Sequence, residues 1–171
     1  EMQKNRNTEK NQECRGLLGR SLKHSFSPEI HRRIGELTGR SYEYKLYEKE
    51  PEEVENFLRN GEWDGLNVTI PYKETVMAYC DELSEEARAI GAVNTLVRRG
   101  GKIIGYNTDY TGFRKSLEQN GVAVRGARTM VLGSGGASKA VCRVLEDMGA
   151  ASVKLVSRSG ELNYENLSQH K

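Results

Sequence analysis

The stretch "LNVTIPYKET", Leu66 to Thr75, places a lysine just past the end of an apolar strand, where the pattern predicts a short helix from Lys73 to Tyr79. The first turn of a helix carries partial positive charge, so an ordinary cation is poorly placed there. A positive helix end together with partial burial favours an amine that gives and takes protons readily. The alternative is a lysine bent into water over the helix end. Along the preceding strand, Asn67 and Thr69 share one face, while Leu66, Val68 and Ile70 share the other. A polar face in a buried parallel sheet needs a partner or a ligand.

Other polar groups stand at similar places. In "HSFSPEIH", Ser25 and Ser27 are two apart, so both hydroxyls can face one ligand. Ser27, just before Pro28, also reads as an ordinary N-cap; Ser25 has no such structural reading. "GAVNT" puts Asn94 at the start of a strand, and "GYNTDYTGF" puts Asp109 just before a helix, where it is a plausible N-cap. A carboxylate near Lys73 would hold the amine oriented or share its proton. No G-x-S-x-G elbow is present, so a serine-hydrolase reading has no nucleophile.

"VLGSGGASKAV" lies between a predicted strand and a predicted helix, the context a dinucleotide-binding turn needs. Gly133 suits the tight turn, and Gly135 lets backbone approach a pyrophosphate at the helix N-terminus. The third fingerprint position holds Ser138 instead of Gly or Ala. The next strand ends in "VSRSG", where NAD-preferring enzymes commonly carry Asp or Glu. Ser157, Arg158 and Ser159 suit a 2′-phosphate better, which favours NADP over NAD. A tight turn without ligand and a solvated arginine are the alternatives.

The elements that must position these groups alternate along the chain. Strand-like "CRGLLG", "SYEYKLYE", "DGLNVTI" and "ARTMVLG" are interleaved with helix-like "SPEIHRRIGELTG", "EPEEVENFLRNG", "SEEARAIG", "DYTGFRKSLEQNG" and "GASKAVCRVLEDMGA", and "SVKLVSR" closes the series. "AVNTLVRR", a Gly-Gly turn and "KIIGYN" make a hairpin. The pattern predicts an α/β protein with a mostly parallel open sheet, followed by an incomplete Rossmann-like unit. The expected division is a polar mobile tail over 1–13, a first domain over 14–109, a connecting helix and linker over 110–125, and a second unit over 126–171.

The 171 residues carry 26 basic and 24 acidic side chains, a net charge of +2 that argues against a nucleic-acid footprint. No apolar run reaches a membrane span and no leader is visible. Cys14, Cys80 and Cys142 are far apart and odd in number, and the three histidines form no metal cluster with Cys or Asp, so a reducing cytoplasm and no metal are expected.

Taken together and in order, "HSFSP", "NVTIPYK", "IGAVNT", "GYNTDYTGF" and "GSGGAS" resemble the shikimate dehydrogenases, over about Gly16 to Arg158. The resemblance implies a shikimate-binding domain followed by an NADP-binding Rossmann-like domain, and reversible reduction of 3-dehydroshikimate by NADPH. It implies Lys73 and Asp109 as the catalytic pair, Ser25 and Ser27 on the substrate carboxylate, and Asn67, Thr69 and Asn94 on ring hydroxyls. It also implies Gly133, Ser134, Gly135, Gly136 and Ala137 at the pyrophosphate, Ser157 and Arg158 at the 2′-phosphate, and Glu85 near the nicotinamide. A homodimer is left open. Broader quinate/shikimate specificity and a non-catalytic shikimate-binding module are the rival readings. The family continues past Lys171, so a truncated chain that binds NADP poorly and turns over slowly is expected.

Overall fold

The computed structural model describes residues 13–40 and 42–167. The segment read as a tail lies outside the described residues except for Glu13, which already belongs to β1 (Glu13–Gly19). α1 (Ser27–Thr38) follows, ended by Gly39 in the left-handed region at φ 63. Then come β2 (Tyr42–Glu48), α2 (Pro51–Asn60) and β3 (Gly65–Val68). α2 starts on Pro51 and a reciprocal capping box between Glu50 and Glu53.

β3 alternates as its sequence requires. Leu66 and Val68 are buried, while Gly65 and Asn67 are half-exposed on the other face. The expected apolar face stops there: the strand ends before Ile70, which is 72% exposed. The helix predicted from Lys73 is also shorter than expected. Residues 71–74 form turns, the Ile70–Pro71 peptide is cis, and a 3-10 helix covers only Thr75–Tyr79. Lys73 therefore does not sit on a helix N-terminus, and its placement has to be explained by other contacts.

β4 (Glu82–Leu83), which the sequence pattern does not reveal, precedes α3 (Glu85–Ile90). Ser84 caps α3 by accepting from the Ala87 N–H, as expected. β5 (Thr95–Arg99) and β6 (Lys102–Tyr106) form the hairpin, with Gly100 and Gly101 at φ 58 and 78, the left-handed pair such a turn requires. Among the described residues the first sheet runs β2-β1-β3-β5-β6-β4. β1 pairs parallel with β2 and β3, and β4 pairs parallel with β6; only β5 runs against its neighbours.

The core of this sheet gathers Leu18, Val54, Leu58, Leu66, Val76 and Leu96, all almost fully buried. Each such side chain contributes about 1.5–3 kcal/mol relative to an exposed position. α4 (Thr108–Gln119) leads away from the sheet to β7 (Arg128–Leu132), α5 (Gly136–Asp147) and β8 (Ser152–Val156). β7 and β8 pair in parallel as a second, two-stranded sheet. The overall arrangement is the mostly parallel α/β class that the alternating pattern predicts.

Candidate active site

The carboxyl ends of β1 and β3 and the start of α4 enclose a cavity of about 430 Å³. Lys73 and Asp109 line it from opposite sides of the chain and meet there: Lys73 Nζ donates to Asp109 Oδ2 at 2.6 Å. The pair is half-buried, at 15% and 34% side-chain exposure, so solvent screens it less than a surface pair.

The geometry that frees Asp109 for this contact begins two residues earlier. The sequence pattern makes Asp109 a candidate N-cap, but the cap is Asn107, whose Oδ1 accepts from the backbone N–H of Asp109 at 3.1 Å and of Tyr110 at 3.4 Å. Asn107 is buried, and its Nδ2 donates to the Ala92 carbonyl at 2.9 Å, so the cap itself is fixed. With the helix end satisfied by Asn107, the Asp109 carboxylate is left to face Lys73. Asn is as good a cap as Asp, and "YNTD" carries that signal.

Ser25 and Ser27 line the same cavity, with their capping roles exchanged relative to the expectation. Ser27 is the first residue of α1 and makes no cap; Ser25 Oγ accepts the Ser27 N–H at 3.2 Å. The Ser25 hydroxyl proton is still available to a ligand. Asn67, Thr69 and Asn94 complete the polar wall. Asn67 Oδ1 accepts from the Tyr44 hydroxyl at 2.8 Å and its Nδ2 donates to Thr95 Oγ1 at 3.5 Å, which leaves one amide hydrogen for a ligand. Asn94 is 8% exposed and is held by Thr108, whose N–H donates to Asn94 Oδ1 at 2.9 Å. Thr108 and the cavity-lining Lys23 and His24 were not singled out from the sequence. His24 lies inside the "HSFSP" motif, and a lysine beside paired serines is the signal that could have found Lys23.

A second cavity, of about 570 Å³, adjoins the first, and Thr69 and Lys73 line both. Its far wall is the glycine turn: Gly133, Gly135, Gly136 and Ala137. Gly133 has φ 106, which L side chains rarely adopt. A Cβ on Gly136 would lie 3.2 Å from Lys73 Cδ, so the turn lies directly against the lysine stem. Gly135 caps α5 with no side-chain bond, and a Cβ there would point into open space. A helix start with room for close backbone approach, backed by this cavity, fits a dinucleotide pyrophosphate. Ser134 is exposed on the same turn and is not part of that wall.

Ser157 and Arg158 follow β8 at the same end of the sheet, where the Gly133 N–H donates to the Val156 carbonyl at 2.8 Å. Ser157 is buried and Arg158 exposed. Glu85 is not brought to this group. It opens α3 and lines a separate cavity with Tyr110, Arg143 and Asp147.

Residues 17–96 match the shikimate dehydrogenase substrate binding domain. The chain is similar to the shikimate dehydrogenases. It is 43% identical over 150 residues to the NADP(+) shikimate dehydrogenase of Caldicellulosiruptor saccharolyticus, covering 85% of this chain and 54% of that one. Its fold superposes on shikimate dehydrogenase 1 of Peptoclostridium difficile with a TM-score of 0.85 at 36% identity, covering 91% of this chain and 63% of that one. It also superposes on the Thermus thermophilus shikimate 5-dehydrogenase in complex with NADP(H) and shikimate, with a TM-score of 0.79 at 34% identity, over 86% and 56% of the two chains. The chain spans about half the length of the curated relatives it matches.

Proposed function

We propose that the chain carries the substrate-binding and proton-transfer part of a shikimate dehydrogenase, for the reversible reduction of 3-dehydroshikimate to shikimate. The observation that carries this reading is the 2.6 Å Lys73–Asp109 contact at the junction of the two cavities. In the first cavity, Ser25 and Ser27 take the substrate carboxylate through hydroxyl donors, and the amides of Asn67 and Asn94 and the Thr69 hydroxyl take the ring hydroxyls. Lys73 donates a proton to the carbonyl oxygen as the carbon is reduced, and takes it back in the reverse direction. Asp109 holds the ammonium and accepts from the product hydroxyl. NADPH, held by the glycine turn with Ser157 and Arg158 at its 2′-phosphate, supplies the hydride.

The same reading divides the chain into a catalytic domain over 14–109, a connection over 110–125 and a nucleotide-binding unit over 126–171, and the separate sheets support that division. Three free thiols fit a reducing cytoplasm. The test is loss of NADPH absorbance with 3-dehydroshikimate, compared with NADH as the donor, and the reverse gain of NADPH absorbance with NADP+ and shikimate, compared with quinate. Turnover that is lost in both Lys73→Ala and Asp109→Asn supports the reading; turnover that survives both substitutions refutes it.

A second reading, a shikimate-binding module without hydride transfer, is favoured by the exposed apolar side chains of the two-stranded sheet, Met130 at 48% and Leu132 at 64%. Under it, shikimate raises the melting temperature while NADPH absorbance stays constant.

A further inference from the structure

α5 is tied at both ends to the chain neighbours of the reacting pair. Near its start, Lys139 Nζ meets Glu74 Oε2 at 2.8 Å, and Glu74 directly follows Lys73. At its end, Asp147 Oδ2 accepts from the Tyr110 hydroxyl at 2.7 Å, and Tyr110 directly follows Asp109. Between these points Ala140 is fully buried in a small cluster with Ile90 and Ala92, against which the Tyr110 ring packs. Lys139 and Asp147 are eight residues apart, about 12 Å along a helix axis. Two ties that far apart resist both translation and tilt of a rigid helix, which a single contact cannot do.

We propose that Glu74–Lys139 and Tyr110–Asp147 are paired struts that set the distance from the glycine turn to the Lys73–Asp109 pair. These four are positioning residues: none reaches the reacting atoms, and each acts through a helix or a chain neighbour. The arrangement gives the gap between the two cavities a fixed width. Glu74 lines the nucleotide-side cavity and Tyr110 lines a separate one, so the struts brace the gap from two sides. Exposed ion pairs add little to global stability, so the consequence falls on geometry and not on the melting point. The nucleotide part of this proposal rests on the function proposed above; the distance part does not.

The test uses two paramagnetic labels carried on a non-natural amino acid, at the exposed Glu43 on the first sheet and the exposed Arg128 on the second, so that the native thiols stay untouched. The variants are Glu74→Lys, Lys139→Glu, the double swap, and Tyr110→Phe, which keeps the ring and removes only the hydroxyl. Each single variant is expected to broaden the label–label distance distribution with little change in melting temperature, and the double swap to narrow it again. NADP+ binding is expected to weaken about two- to fivefold in Tyr110→Phe, which leaves the charge of the nucleotide-side cavity as it is, with shikimate affinity unchanged. An unchanged distribution in the single variants, or a swap that does not restore it, overturns the proposal. So does a broadened Tyr110→Phe whose NADP+ affinity is undiminished. Failure of the wild-type chain to bind NADP+ strikes the proposed function and leaves the distance result to decide the struts.

Discussion

At the scale of single residues, the site depends on which group satisfies which backbone donor. Asn107 caps α4 and so releases Asp109; Ser25 takes the Ser27 N–H at the start of α1. Replacing Lys73 by Ala, or Asp109 by Asn, is expected to lower kcat by about 10²–10⁴-fold while shikimate still binds. Steady-state kinetics beside calorimetric titration would separate the two effects, and a variant that lost binding alone would assign Lys73 to recognition. Asn107→Ala removes the cap and is expected to cost about 0.5–2 kcal/mol of stability. It should also slow turnover, since the Asp109 carboxylate would no longer be held in place; a Tm measurement and a rate on the same sample check both. Ser25, Asn67, Asn94 and Asp109 were legible in the sequence because each is a polar side chain near a strand end or helix start; Glu85 carries the same signature and lies in a separate cavity. Which serine and which of Asn107 and Asp109 did the capping was not legible, because the choice depends on a shift of one or two residues in helix register.

His31 gives a titration at the same scale. Its ring stacks on Tyr44 at 3.9 Å between centroids. Burial holds the imidazole below its ordinary value, a hydrogen bond to Asn67 opposes this, and the Arg15 charge adds to it. The unfolded chain therefore takes up the proton first as pH falls, so this contribution is whole above the ordinary histidine range and declines as pH drops through it. His31→Gln is expected to flatten the fall in melting temperature between about pH 7.5 and 5.5. An equally steep fall in the variant would show that other groups set the slope.

At the scale of elements, the glycine turn and the strand before Lys73 do the positioning. Gly133 at φ 106 admits no side chain without strain, on the order of 1–3 kcal/mol. Gly133→Ala should lower stability by that amount and weaken NADP+ binding, with shikimate binding unaffected; thermal melts and a titration of each ligand against the variant check the split. The alternation of β3 was readable because Leu66 and Val68 repeat with period two. The two-residue β4 was not, since Glu82–Leu83 has too few positions to show any period and exists by pairing with β6. The expected helix at Lys73 failed for a related reason: residues 71–74 are held by turns, such as the Tyr72 N–H to the Thr69 carbonyl at 3.0 Å, which local propensity does not encode. Lys73 is thus set by tertiary contacts, the Asp109 carboxylate on one side and Gly136 on the other.

At the scale of the whole molecule, the two cavities share Thr69 and Lys73, so one turn of chain faces both cavities. The first sheet has a continuous core, while the second exposes Met130, Leu132 and Leu155. Shikimate at a hundredfold excess over Kd should stabilise the chain by about 2.7 kcal/mol. For a chain of this size that is a rise of roughly 5–10 °C in Tm. NADP+ alone is expected to give a smaller rise, because the glycine turn proposed to hold it follows a strand of the two-stranded sheet. The α/β class was legible from the alternation of elements, but the adjacency of the two cavities was not, because it depends on how α4 and α5 pack.

The most direct measurement is a crystal structure of this chain with shikimate. The carboxylate is expected at Ser25 and Ser27, and the oxidisable hydroxyl within hydrogen-bond reach of both Lys73 Nζ and the Asp109 carboxylate, facing Gly136. Shikimate bound elsewhere, or turned so that its carboxylate meets Lys73, would contradict that placement.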